Sequence, residues 1–217
     1  MSYKTILNHG VYEFVEKKST FIGYCKRVNS EDDAKKFIEQ IKVKHYDARH
    51  NVYGYVIGEK MFKQGYSDDG EPQGTAGIPI IEVIKKNELT DVVVVVTRYF
   101  GGILLGVGGL TRAYVKSCSG ALKNSRVVEK VLGNQLMLKV NYDLLGKVQH
   151  FLNENQMHIN EMIYEDKVIF NLRCEKNDLE ILKKEIIDMT SNNLDIEIGD
   201  DVMYFKDSNK YYLDSEI

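Results

Sequence analysis

Proline is nearly missing from this 217-residue chain, which holds only Pro72 and Pro79. That scarcity excludes a stiff Pro-rich spacer, so any modules should meet through a short connection. Cysteine is equally sparse. Cys25, Cys118 and Cys174 lie far apart and are odd in number. This argues against a disulfide framework and against a paired-cysteine zinc site, and a reducing cytoplasm is the expected compartment. No apolar run approaches the roughly 20 residues that cross a bilayer, so no membrane partner is expected. The first ten residues reach Asn8, His9 and Gly10 without the apolar stretch of a signal peptide, and none is expected. Internal repeats and low-complexity tracts are missing too.

The composition that remains is ordinary for a globular protein, with 43% hydrophobic and 28% charged residues. Charge and glycine are unevenly spread. Residues 1–132 hold 20 lysines and arginines against 15 acids, and residues 133–217 hold 9 against 17. Nine of the 17 glycines fall between Gly65 and Gly109. Two halves of opposite sign suggest two modules, the first with specialised loops and a mild basic excess. The expected organisation is a domain over 1–128, a second over 133–206 and a tail over 207–217.

In the first half, residues 11–15 and 20–28 read as strands joined by a polar turn. Ser30, with Asp33 three residues on, should cap a helix whose apolar face is Ala34, Phe37, Ile38 and Ile41. Residues 51–57 read as a strand, and Pro79 suits the first turn of a short helix over 79–86. Residues 91–100 contain five consecutive valines, and such a run without alternation predicts a strand buried on both faces. A helix over 110–124 follows the glycine loop 101–109. The second half reads as strand 135–141, a helix around Val148, a hairpin of 157–164 and 167–174, a helix after Asn177, and strand 194–198. The order βαββαβ is the ferredoxin-like pattern.

Three segments carry candidate chemistry. The first is the strand–glycine loop–helix unit, with Arg98 before the loop and Gly101, Gly102, Gly106, Gly108 and Gly109 within it. Arg112 and Lys116 follow on the helix, away from Leu110, Tyr114 and Cys118. Backbone amides freed by glycine, together with a helix N-terminus, suit an anion. Tight helix–sheet packing explains the same glycines, and neither the P-loop nor the dinucleotide spacing is present. The second segment is Ser67-Asp68-Asp69-Gly70-Glu71-Pro72-Gln73-Gly74-Thr75-Ala76-Gly77. Its carboxylates suit a structured turn, a partner contact, a hard cation or acid–base work. The third holds His45 and His50, which could serve as bases or ligands, although no H-E-x-x-H helix or cysteine pair accompanies them. No catalytic residue, metal ligand or cofactor is assigned.

Taken together, these segments resemble the YigZ/IMPACT family. The likeness is carried by Ser67-Asp68-Asp69-Gly70-Glu71-Pro72, Gly74-Thr75-Ala76-Gly77 with Pro79-Ile80-Ile81, and Thr97-Arg98-Tyr99-Phe100-Gly101-Gly102. Leu105-Gly106, Gly108-Gly109-Leu110 and Arg112-Ala113-Tyr114 extend it, over residues 15–125. Leu104 departs from the lysine common there. The resemblance implies an α+β protein. Its first domain would be like the second domain of a small-subunit ribosomal protein, and its second would be ferredoxin-like, a pairing also seen in elongation factor G. Together with the basic half, the Arg112 and Lys116 stripe and that domain pairing, it points to a non-enzymatic, translation-linked regulator in the cytoplasm. That regulator would bind RNA, the ribosome or a translation-associated protein through Arg98, the loop glycines, Arg112 and Lys116. His50, Asp68, Asp69, Glu71 and Thr75 would form a neighbouring partner or site loop. The alternative is an enzyme acting on a phosphorylated small molecule or nucleotide at the same glycine loop.

Overall fold

The computed structural model describes residues 2–217 and divides into two compact units, Tyr3–Val128 and Glu129–Ile217 with Ser2. Both are mixed α and β with antiparallel sheets. No helix among the described residues is long and apolar enough to cross a membrane.

The first unit begins with β1 (Ser2–Ile6), β2 (Gly10–Glu16), β3 (Ser19–Arg27) and α1 (Glu31–Lys44). It continues through β4 (His50–Ile57), β5 (Lys63–Ser67), α2 (Gly77–Lys86), β6 (Val92–Tyr99) and α3 (Val107–Lys123). Its sheet runs β2-β3-β6-β4-β5, which places the valine strand at the centre. Alternation then sends Val92, Val94 and Val96 to one face and Val93 and Val95 to the other. The first set packs with Ile80, Ile84, Leu110, Tyr114 and Cys118 of α2 and α3. The second packs with Phe37, Ile38 and Ile41 of α1. All five valines are fully buried, as an apolar run between two helical layers requires.

Local signals explain the helix starts. Ser30 Oγ accepts the Asp33 N–H at 3.1 Å, which caps α1. The N-terminus of α2 has no cap from its own first turn. The Asp68 carboxylate supplies it from a distance, accepting the N–H groups of Gly74, Ala76 and Gly77 at 2.8, 3.1 and 2.8 Å. A negative group at a helix N-terminus is also favoured by the peptide dipoles.

The second unit comprises β7 (Val127–Val140), α4 (Leu145–Glu154), β8 (Ile159–Tyr164), β9 (Val168–Glu175), α5 (Leu179–Thr190), β10 (Leu194–Asp207) and β11 (Lys210–Tyr212). Its strands lie in the order β11-β10-β7-β9-β8. One sheet face, with Leu136 and Leu138 of β7 and Phe170 and Leu172 of β9, packs on Val148, Leu152, Leu182 and Ile186 of the two helices. The last strand is far longer than 194–198. A register shift between Ile198 and Asp201 lets β10 continue along β7 to Lys206. The chain then turns at Ser208 in a left-handed conformation, and Phe205–Asp207 pair with Lys210–Tyr212. The first half of the tail is thereby drawn into the sheet.

Candidate functional site

The site grows from one register position in the first unit. Arg98 on β6 stands opposite His50 on β4 and Phe21 on β3. It follows Val92, Val94 and Val96 in the same alternation, so its side chain enters the face covered by α3. There it meets Glu71, delivered by the acidic loop. Arg98 Nη1 donates to Glu71 Oε1 at 2.6 Å, and the Tyr114 hydroxyl of α3 donates to the same oxygen at 2.7 Å. His50 Nε2 lies 3.8 Å from that oxygen. Arg98 is only 5% exposed, and its Nε has no hydrogen-bond partner. Burial and the Glu71 charge push the Tyr114 hydroxyl far above its usual pKa, so it remains a donor. Arg98, expected from the sequence among the outward-facing cations, is instead locked in a buried ion pair with Glu71.

The other acids of the loop are also engaged internally. Asp68 caps α2. Asp69 Oδ2 accepts the Asn51 N–H at 2.6 Å, and its carbonyl lies 2.7 Å from His50 Nδ1. A carbonyl only accepts, so Nδ1 carries a proton, and in that tautomer Nε2 presents a lone pair. Thr75 Oγ1 donates to the Pro72 carbonyl at 2.6 Å. Among the described residues no three His, Cys, Asp or Glu side chains are placed to hold a metal ion.

The glycines of the 101–109 loop divide by role. A Cβ on Gly101 would sit 1.9 Å from the Lys18 carbonyl oxygen, and the Gly101 N–H donates to Ser19 Oγ at 3.2 Å, so this glycine anchors the loop against β3. Gly106 precedes α3 at φ +73, in the left-handed region that favours glycine. Gly102 and Gly108 are exposed, and Gly109 faces a cleft. The side chains between them are unexpectedly bare. Leu104 is 81% exposed and Val107 64%.

Two cavities lie on either side of Leu105. One is a cleft of about 270 Å³ lined by Phe14, Gly109, the cations Lys17, Arg112 and Lys116, and one acid, Glu16. Lys116 Nζ sits 4.2 Å from the centre of the Phe14 ring. Arg112 and Lys116 are exposed and, like Lys17, form no salt bridge among the described residues. The other is a groove of about 420 Å³ with Phe100, Leu104, Leu105, Val107 and Leu110 in its walls and His50, Glu71 and Arg98 also lining it. Phe14 and Lys17 escaped sequence reading because they belong to a distant hairpin. Tyr114 escaped because its helical spacing marked it as core, which it also is.

Thiolate chemistry finds little support. Burial raises the Cys25 and Cys174 thiols to about 11 and Cys118 higher still, so all three are protonated at neutral pH. His45, the other histidine of interest, is locked between the Tyr24 hydroxyl at 2.7 Å and the Tyr99 hydroxyl at 2.9 Å.

Comparison with known proteins places this geometry in a family. The Impact N-terminal domain matches residues 17–122, and a domain of unknown function, DUF1949, matches residues 138–193. The IMPACT family member YvyE of Bacillus subtilis is 43% identical over 199 residues, covering 92% of each chain. The chain belongs to the IMPACT family. The family member YigZ of Escherichia coli is 36% identical over 64% of this chain and 69% of its own length. A crystal structure described as an hypothetical protein superposes with a TM-score of 0.59 at 28% identity, covering 90% of this chain and 96% of that one. The matched N-terminal domain spans the acidic loop, the glycine loop, the groove and all of the cleft except Phe14 and Glu16.

Proposed function

We propose that this IMPACT family protein is a translation-linked regulator that works by binding RNA, free or within the ribosome, at the cleft of Lys17, Arg112 and Lys116. The observation that carries the reading is the convergence of three unpaired cations on one concavity beside α3. Unpaired cations gain counterion release on meeting phosphates, whereas paired ones must first break a bond. The translation link comes from the family likeness. The domain likeness belongs to the same proposal. In the second unit, the βαββαβ order with strands arranged β10-β7-β9-β8 supports a ferredoxin-like domain over residues 133–206, as in elongation factor G.

Fluorescence anisotropy with a labelled single-stranded RNA across a potassium chloride series tests this. Affinity should fall linearly with the logarithm of salt, with a slope of about −2 for three phosphate contacts. Binding insensitive to salt would falsify the proposal.

A further inference from the structure

The groove on the other side of Leu105 has a property that packing alone does not explain. It is apolar along its walls, yet three polar groups with unused hydrogen-bonding capacity belong to residues that line it. Both hydrogen bonds to Glu71 fall on Oε1, which leaves Oε2 without a partner among the described residues. His50 is held through Nδ1, and its Nε2 lone pair is 3.8 Å from the nearest carboxylate oxygen, too far for a hydrogen bond. Arg98 Nε is a buried donor without an acceptor. Buried polar groups left unpaired cost stability, and each calls for an explanation.

An aliphatic side chain plugging this groove would strip water from Glu71 Oε2 and His50 Nε2 and return no hydrogen bond. A flat heteroaromatic ring with a polar edge meets both needs. Phe100, 38% exposed, supplies a stacking face, with the Arg49 and Arg98 guanidinium carbons 5.6 and 5.4 Å from its centre. The set holds two acceptors, Glu71 Oε2 and His50 Nε2, while the Arg98 Nε donor is buried from solvent. Guanine's pairing edge presents two donor groups, N1–H and the 2-amino group, and one acceptor, O6. Adenine offers one donor and one acceptor on that edge, and cytosine and uracil each offer one donor and two acceptors. The volume, about 420 Å³, falls in the range of roughly 300–1,000 Å³ usual for small-ligand sites.

We infer that this groove is a guanine pocket, taking the base of a guanine nucleotide, free or at an unpaired position of RNA. The inference rests on the cleft reading above for the source of phosphate attraction. Base and phosphate then divide between the two cavities, the base setting selectivity and the cations attachment.

The chain has no tryptophan, so Phe100→Trp installs a single reporter in the groove wall. GMP should quench it saturably. IMP, which lacks the 2-amino group, and AMP should bind about tenfold more weakly. Saturation-transfer NMR of GMP with unmodified protein checks that the reporter has not created or blocked the site. Glu71→Gln should weaken GMP binding. Because that variant strikes a buried ion pair and can fail to fold, the exposed Leu104→Glu is the second variant, expected to lose GMP while keeping a native circular dichroism spectrum. RNA octamers with one guanine in a uridine background distinguish polymer from free nucleotide: affinity above that of GMP assigns the site to RNA, and affinity no higher assigns it to the free nucleotide.

Equal binding of all four nucleotides, or no binding of GMP by either method, overturns the pocket. RNA binding that is salt-dependent but indifferent to base and to Leu104→Glu overturns the pocket and leaves the cleft standing. GMP binding together with RNA binding that ignores salt does the reverse.

Discussion

The two units distribute paired and unpaired charge differently. The first buries one ion pair, Arg98 with Glu71, and leaves Lys17, Arg112 and Lys116 unpaired around a cleft. The second engages Lys139, Lys167, Arg173, Lys176 and Lys206 with Glu197, Asp195, Glu216, Asp201 and Glu175. Net charge conveys none of this. The basic excess of the first unit is small, but its cations are free where a concavity gathers them. A cation already held by an acid has little to offer a phosphate, so function follows pairing and not the sum of charges.

The strongest way to break this contrast is to remove one partner from each kind of pair. Glu71→Ala leaves Arg98 buried without a counterion and should cost about 3–5 kcal/mol in the denaturation of the first unit. Lys139→Ala in the second, at an exposed pair, should leave the midpoint unchanged within error. Equal losses in chemical denaturation would erase the distinction.

Next in size is the loss of free cations. Arg112→Glu with Lys116→Glu should weaken RNA binding strongly and flatten the salt slope by about 1.4 for two lost phosphate contacts. Lys167→Glu, at a cation already paired with Asp195, should leave both affinity and slope in place. Anisotropy titrations decide between them.

Tyr114→Phe removes one donor from Glu71 Oε1 and keeps the ring packed against Phe21. A hydrogen bond to a buried charge predicts a loss of about 1.5–3 kcal/mol, well below that of Glu71→Ala. A loss as large as that of Glu71→Ala would mean that the phenol, and not the guanidinium, anchors the carboxylate.

The smallest effects should separate the units by pH. Burial, reinforced by Lys44, holds His45 below its ordinary value of 6.5. The folded ring binds protons less readily than the unfolded one, so first-unit stability should be full above 6.5 and decline as pH falls through that value. His45→Gln should flatten the decline. In the second unit, Arg173 holds Glu216 below 4.5 and Lys167 holds Asp195 below 3.8. That stabilisation is present above the ordinary values and is lost as pH falls through the lower folded ones. Backbone amide NMR signals in each unit, followed from pH 7 to 3, should show the two transitions in different windows.

Much of the fold was legible in the residues. The valine run marked a strand covered on both sides, and the spacing of Ala34, Phe37, Ile38 and Ile41 marked the buried face of α1. The strands Ser2–Ile6 and Lys63–Ser67 were not foreseen. The second is exposed or half-buried along its length and carries no clean alternation. The long extension of β10 was missed for a similar reason. Asp200 and Asp201 interrupt the apolar pattern, and the register shift that accommodates them is set by β7. At the site, Arg112 and Lys116 were legible from helical spacing, whereas the fate of Arg98 was not.

Periodicity is a local signal, read within a few residues, and it was enough to give two modules, their cores and most of their elements. Whether a charge is free or spent depends on contacts between distant segments. Glu71 meets Arg98 across 27 positions and Tyr114 across 43, separations at which no spacing rule operates. The sheet register and the packing of α3 made those meetings, and so only the tertiary structure decided which cations were left for a partner.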